Sequence, residues 1–336
     1  MKVRAVGYTS QKLYGPRDKD GTLLLKPKQE SFSVLGQANL EARIVEGLKL
    51  RLFRQAFNLP YLNKDDSRMI PNTFEAYTLE GLKIHKTDFI VSHVPKIKER
   101  NSSKFIDMSE AAGVENSDKD LTLAGARYSF NDNFDIGFID FYSWDLWNTA
   151  YAEANGLWKM TNKVSIKLSG QYTHERSVGD ELFGEFNTDV YGGEVSLDYK
   201  RAILSFGFSS TASGSDILNP YGGYPGYLSL IEKDFDRASE DAWLVGFSYH
   251  FKSLGIDGLS AFINYAQGNT PDSGSAESPD QDEFDFTVDY HFKNIRHKEL
   301  KGLWLRFRSA FVDQDGPNGQ DIDNYQVIIN YEIPFL

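Results

Sequence analysis

The ten residues VSIKLSGQYT, 164–173, alternate strictly between two kinds of side chain. One set is apolar or aromatic apart from a glycine: Val164, Ile166, Leu168, Gly170 and Tyr172. The other set is polar or charged: Ser165, Lys167, Ser169, Gln171 and Thr173. A repeat of two is that of a β-strand whose faces meet different surroundings. The stretch therefore predicts a strand with one apolar face and one hydrophilic face.

Segments of this kind recur along the whole chain, and we count about sixteen of them. The short connections between them are residues 46–47, 80–81, 131–133, 160–162, 200–201, 252–257 and 293–301. The long ones are residues 14–30, 58–73, 95–119, 176–189, 209–240, 267–282 and 313–323, with 143–146 as a shorter member. Short and long connections alternate along the chain. Because neighbouring strands of a meander run in opposite directions, this alternation in length places all short turns on one side of the sheet and all long loops on the other. Outer-membrane barrels have that asymmetry.

Charged residues lie in the middle of the hydrophilic faces, among them Lys167, Asp285 and Arg306. An arginine facing lipid at the bilayer midplane costs roughly 2–4 kcal/mol, and an unpaired charge in a dry core costs more. A water-filled lumen avoids both costs and requires a wide barrel. The sequence thus predicts an all-β fold, a transmembrane antiparallel β-barrel with about 16 visible strands, formed by residues 1–336 as a single domain.

The composition agrees with this fold and excludes other classes. Aromatic residues make up 14% of the 336 residues, as expected for the aromatic girdles of a barrel. The absence of cysteine excludes disulfides and thiolate metal sites. A net charge of −12 without a basic stripe argues against nucleic acid as a partner.

Both ends of the chain carry information about export. Residues 1–4 lead directly into a strand pattern without an apolar signal segment, so we expect the signal peptide and the first strands to be missing. The last segment alternates up to Phe335 and resembles the signal read by the barrel-assembly machinery, although Leu336 follows the final aromatic residue.

Two long stretches resemble the OprD-type outer-membrane porin family, which includes chitoporin-like members. They are NPYGGYPGYLSLIEKDFDRASEDAWLVGFSYHF, residues 219–251, and RLFRQAFNLPYLNKDDSRMIPNTFEAYTLEGLKI, residues 51–84. The ARYSF segment, residues 126–130, also fits. The resemblance covers essentially the whole chain.

The resemblance implies a Gram-negative outer-membrane porin with a barrel of about 18 strands, often packed as a homotrimer among outer-membrane lipid and lipopolysaccharide. Family members pass basic amino acids, small peptides, carboxylates or sugars by facilitated diffusion. Their long loops fold inward and narrow the pore, and an arginine-rich ladder faces an acidic patch. No cofactor is implied.

Six charged residues on hydrophilic faces are candidates for lining the pore: Lys49, Arg51, Arg306, Arg308, Asp285 and Asp289. The cations could form rungs of a ladder that attracts carboxylates, since rings of charge set selectivity in pores. The two aspartates could form an opposing acidic wall. Alternatively, they pair with Arg306 and Arg308 on the next strand and hold the register.

Two long loops contain aromatic and charged residues that could line a constriction or could serve the packing of the loops themselves. The candidates are Asp65, Asp66, Arg68, Tyr224, Tyr227, Asp234 and Arg237, together with Tyr221 and Asp236.

Other classes of function lack support in the sequence. The six histidines are scattered, and no zinc or nucleophile motif accompanies them, so we expect no metal site and no catalytic residues. The alternatives that stay open are a barrel enzyme of the lipase or protease type, a plugged receptor, and a soluble secreted β-protein that binds sugar.

Overall fold

The computed structural model describes residues 1–19, 22–65, 67–293, 300–316 and 319–333. Over these ranges the regular secondary structure is almost entirely β-strand. The strands are β1 Lys2–Ser10, β2 Phe32–Val45, β3 Leu48–Gln55, β4 Asn58–Leu59, β5 Leu62–Asn63, β6 Thr73–Ile84, β7 Thr87–Lys98, β8 Ile106–Asp107, β9 Leu121–Asn131, β10 Phe134–Ser143, β11 Trp147–Thr161, β12 Val164–Ser177, β13 Asn187–Tyr199, β14 Ala202–Thr211, β15 Asp241–His250, β16 Leu259–Asn269, β17 Asp280–His291, β18 Leu303–Asp315 and β19 Ile322–Tyr331. The helical pieces are α1 Met108–Ala111 and two 3-10 turns, Pro27–Gln29 and Phe251–Leu254. In this described part, no helix is both long and apolar enough to cross a bilayer.

The predicted number of strands is confirmed for the part of the chain that the structure describes. Three of its 19 strands, β4, β5 and β8, have two residues each, and the remaining 16 have at least eight. The strand predicted from VSIKLSGQYT is β12, which begins at Val164 as the alternation indicates.

One predicted turn is wrong. We placed it at Glu80 and Gly81, but β6 continues through both residues, and the turn consists of His85 and Lys86, with φ of 51° and 67°. Gly81 has a different role, because the ring of Phe89 on β7 occupies the space of its missing side chain. A Cβ at Gly81 would lie 2.5 Å from Phe89 Cζ. The glycine thus permits a close approach inside a strand rather than a turn.

The chain divides into two compact units. Unit 1 comprises residues 1–153, 173–187 and 218–225. Its long strands pair antiparallel with their neighbours in the chain, in the pairs β1–β2, β2–β3, β3–β6, β6–β7, β7–β9 and β9–β10. The short β8 adds to the end of β7, where Lys96 pairs with Asp107.

Unit 2 comprises residues 154–172, 188–217 and 226–336. Within it, β13 to β19 form an unbroken antiparallel meander in which each strand pairs with the next. These pairings show no register shift between β13 and β19, so side chains directly opposite one another share a face.

The distribution of burial in unit 2 is the reverse of that in a water-soluble protein. Several large apolar side chains within its strands are 40–47% exposed: Val195, Leu197, Phe206, Phe208, Val245 and Phe247. Polar side chains on the opposite face are buried: Ser209, Gln281, Glu283, Asp285 and Asp289. Such sorting is stable only where the exposed apolar face meets lipid rather than water.

Candidate functional site

A cavity of 620 Å³ in unit 1 lies on the polar side of β1, β2 and β3. Four cationic residues line it, Lys2, Arg4, Arg51 and Lys64, and one acidic residue, Glu41. Amide and phenol groups complete the polar part of the lining: Gln37, Asn39, Gln55, Asn58 and Tyr8. The cavity therefore offers several hydrogen-bond donors and an excess of positive charge.

The predicted pair Lys49 and Arg51 shares one acidic partner. Lys49 Nζ lies 2.9 Å from Glu80 Oε2, and Arg51 Nη2 lies 3.0 Å from the same oxygen. Arg51 Nε also lies 3.9 Å from Glu41. Glu80 thus contacts both cations, and Glu41 adds a second negative charge beside Arg51. The excess of positive charge in the cavity lining therefore comes from Lys2, Arg4 and Lys64.

The predicted residues of β17 and β18 form a neutral pair. Arg306 donates to both carboxylate oxygens of Asp289, at 2.6 Å and 2.8 Å, and its guanidinium lies 4.6 Å from the centre of the Trp304 ring. Arg306 and Asp289 are directly opposite in the ladder. Arg308 interacts electrostatically with Asp285. The geometry thus favours the interpretation in which Asp289 pairs with an arginine of the next strand over the one in which it belongs to an unpaired acidic wall.

Residues 218–225, here called the tyrosine segment, pack against the polar side of unit 1. The ring of Tyr221 stacks on Trp147, with centroids 5.9 Å apart and planes at 9°. Its carbonyl accepts the backbone N–H of Asn63 at 3.2 Å. Burial raises the pKa of the Tyr221 hydroxyl, which keeps this phenol neutral. The segment is thereby fixed by stacking and by backbone pairing.

A cluster of aromatic rings holds the other end of the tyrosine segment. Tyr61 lies edge-on to Phe141, Tyr151 and Tyr224, with centroids 6.3, 6.1 and 6.1 Å away. The hydroxyls of Tyr61 and Thr173 form a buried hydrogen bond of 2.8 Å. Edge-to-face ring pairs of this kind stabilise packing beyond the area that they bury.

Glu175 on β12 is a residue of this site that the sequence analysis missed. Its buried carboxylate accepts the hydroxyl of Thr149 and the backbone N–H of Leu218, both at 2.8 Å. It therefore anchors the first residue of the tyrosine segment to the strand wall. An acidic residue near the loop end of a hydrophilic strand face was the available signal, but its partner lies 43 positions away in the chain.

Residues 226–240, here called the strap, lie over the polar side of unit 2. Leu228 and Phe235 form an apolar cluster with Ala242, Leu244 and Ala266, and Tyr227 packs against it. The strap thus covers the face of β15 and β16 that is opposite to the exposed apolar face.

The charged residues predicted in this loop serve its internal structure. Arg237 donates to both carboxylate oxygens of Glu240 and, at 2.6 Å, to the carbonyl of Pro279. Asp234 accepts the hydroxyl of Ser229. Two charged residues of the strap are therefore bound to protein groups in this conformation.

The earlier loop shows the same behaviour. Asp65 pairs with Arg100 at 2.8 Å and accepts the hydroxyl of Ser67 at 2.7 Å. Arg68 donates to the carbonyl of Thr22 at 3.1 Å. The predicted Asp66 lies outside the described residues. Over the ranges that the structure describes, no group of His and acidic residues could hold a metal ion.

Strands with exposed apolar faces, charged opposite faces and loop segments packed on the charged side define the class of the protein, an outer-membrane channel. Residues 1–335 match the family described as "outer membrane porin, OprD family". The chain belongs to this family.

Individual relatives agree with the family match. Porin-like protein GalP of Pseudomonas putida is 21% identical over 345 residues, covering 99% of this chain and 81% of that protein. A BenF-like porin from Pseudomonas fluorescens has a TM-score of 0.89 and 22% identity, covering 98% of this chain and 85% of that chain. OpdK of Pseudomonas aeruginosa, solved with vanillate, has a TM-score of 0.85 and 19% identity, covering 98% and 87%.

These comparisons establish the architecture and the general function. The fold is that of the outer-membrane porin barrels, which confirms the predicted fold class. The protein is a bacterial outer-membrane channel for small solutes rather than an enzyme, since this family consists of porins.

Proposed function

We propose that this channel favours small solutes that carry a carboxylate on an apolar or aromatic body, and that they pass by facilitated diffusion. The cavity of 620 Å³ in unit 1 carries the proposal, because Lys2, Arg4, Arg51 and Lys64 outnumber its one carboxylate, Glu41. The volume lies within the range of sites that enclose small molecules. A chain of net charge −12 thus has a locally positive path.

The chemistry of Arg51 supports a carboxylate rather than a simple anion. A guanidinium presents paired donors that match the two oxygens of a carboxylate. Arg51 reaches Gln55 at 3.4 Å and shares Glu80 with Lys49, so it is positioned by neighbours. The apolar part of the same lining, Phe57, Met69 and Pro71, provides a surface for the body of the solute. Vanillate, with which OpdK was solved, belongs to this chemical class.

The finer features of the channel are part of the same proposal. Six residues line the pore: Lys49, Arg51, Arg306, Arg308, Asp285 and Asp289. The tyrosine segment and the strap narrow it, together with the loop that contains Asp65, Asp66 and Arg68. The chain forms one barrel domain, inserts through the barrel-assembly machinery, packs as a homotrimer and contacts lipopolysaccharide.

Planar-bilayer recording of the refolded protein tests the carboxylate preference. Vanillate should reduce the ionic current at lower concentration than vanillyl alcohol, which has the same ring without the charge. In Arg51→Gln the half-blocking concentration of vanillate should rise roughly tenfold, since a hydrogen bond to a charged group contributes about 1.5–3 kcal/mol. The reversal potential in a salt gradient should shift towards cation preference.

Lys200→Gln is the matched control, because it removes a cation at a turn that does not line the cavity. It should leave the block by vanillate unchanged. Equal block by vanillate and by the alcohol, or an Arg51→Gln channel that behaves as the parent does, would contradict the proposal.

A further inference from the structure

Three consecutive backbone N–H groups of the strap point at two carboxylates of β17. The N–H of Glu232 donates to Glu283 Oε1 at 2.9 Å, and that of Lys233 donates to Glu283 Oε2 at 2.8 Å. The N–H of Ile231 donates to Asp285 Oδ2 at 3.2 Å. Successive N–H groups that converge in this way form a binding site for anions.

Burial makes this contact strong. Glu283 is fully buried and Asp285 nearly so. A carboxyl group that is withdrawn from water needs hydrogen bonds from the protein in place of those with water. Both oxygens of Glu283 receive such bonds from the strap. The N–H groups of the strap and the buried carboxyl groups of β17 are therefore each other's hydrogen-bond partners.

A second contact holds the same turn of the strap from another strand. The side-chain amide of Asn324 on β19 donates to the carboxylate of Glu232. Farther along the strap, the Phe235 carbonyl accepts the hydroxyl of Ser209 on β14 at 3.3 Å. The strap is thus attached at β14, β17 and β19 across the polar face of unit 2.

We propose that Glu283 and Asp285 are positioning residues that hold the strap over the polar face and so set the width available to a solute. Their oxygens serve the strap rather than the solute, because backbone N–H groups of the strap donate to three of the four. The inference rests on the proposed function, and it assigns selection by charge to the cavity around Arg51 and selection by size to the strap.

A buried thiol reports on the strap directly. The chain has no cysteine, so Ser209→Cys provides a single buried reporter at the contact with the Phe235 carbonyl. In this background, Glu283→Gln replaces one acceptor oxygen by an amide N–H₂ that opposes a backbone donor. The rate of thiol modification at position 209 should rise about tenfold or more, as expected when a buried donor loses its partner and the segment opens locally.

The matched control is Glu194→Gln, which removes a carboxylate on the polar face of β13 whose described contact is Ser196 rather than the strap. It should leave the thiol protected. In bilayers, Glu283→Gln should increase the unit conductance and admit larger solutes, while the carboxylate preference set at Arg51 stays as in the parent.

The proposal would be overturned if the Glu283→Gln protein is folded and heat-modifiable but its thiol at position 209 is modified as slowly as in the parent. If that variant does not fold, Asp285→Asn carries the test, because it weakens the acceptor of the Ile231 N–H; unchanged protection there would equally overturn the proposal. The thiol assay requires no transport, so its failure is separate from a failure of the carboxylate preference in the Arg51→Gln recording.

Discussion

Gly81 shows how a single residue determines where a strand can lie. It is in the interior of β6 and pairs directly with Phe89, whose ring fills the space above its Cα. The sequence signal, a glycine after Glu80, is ambiguous because glycine marks both turns and close approaches. The structure resolves it through a contact with the next strand, which no local pattern contains.

Replacement of Gly81 by alanine should therefore destabilise the fold. Its Cβ would meet Phe89 Cζ at 2.5 Å and Cδ1 at 2.6 Å, so the ring must move, at a cost of about 1–3 kcal/mol. Urea unfolding of the refolded protein measures this cost. Gly7→Ala in β1 is the control, since nothing lies within 4 Å of its Cβ, and it should be neutral or slightly stabilising. Equal stability of the two variants would disprove this account of Gly81.

At the scale of elements, the strands are readable from the sequence and the loop contacts are not. Alternation over ten residues identifies β12, and Lys49 and Arg51 are assigned to one face by their spacing alone. Their partner Glu80 and the anchors Glu175 and Glu283 depend on contacts between residues 29 to 51 positions apart. Such pairs follow from strand register and loop packing, which a period of two does not encode.

The strap contains a carboxyl group that should make its packing dependent on pH. Burial, followed by the charges of Asp234, Glu240 and Asp216, raises the pKa of Asp236 well above its ordinary value of 3.8. A raised pKa in the folded state means that the protonated form favours the packed strap. This stabilisation is complete below pH 3.8 and is lost as the pH rises through the raised pKa.

Asp236→Asn should accordingly hold the strap more firmly at neutral pH. The test is the rate of hydrogen exchange of residues 226–240 in the parent divided by the rate in the variant. This ratio should grow as the pH rises above 3.8 and then level off. Taking the ratio removes the intrinsic pH dependence of exchange. Asp198→Asn, on β13, should give a flat ratio, and a flat ratio for Asp236→Asn as well would refute the expected role of its protonation.

At the scale of the whole molecule, the decisive property is which face of each strand meets lipid. Phe206 and Ser205 are consecutive residues at the centre of β14, and Phe206 is 47% exposed. Ser205 lies on the opposite face, where it lines a cavity of 430 Å³ with Ser196 and Glu194. The two positions therefore sample the two environments at one depth.

An arginine at each position should give opposite results. Phe206→Arg places a charge in hydrocarbon near the bilayer midplane. It should make the protein folded in lipid vesicles less stable by about 2–4 kcal/mol. Ser205→Arg places the same charge in the aqueous interior, beside Glu194, and should fold nearly as well as the parent. Urea titrations in vesicles measure both. Equal losses would mean that the two faces do not differ in solvent, and the assignment of lipid and lumen to them would have to be given up.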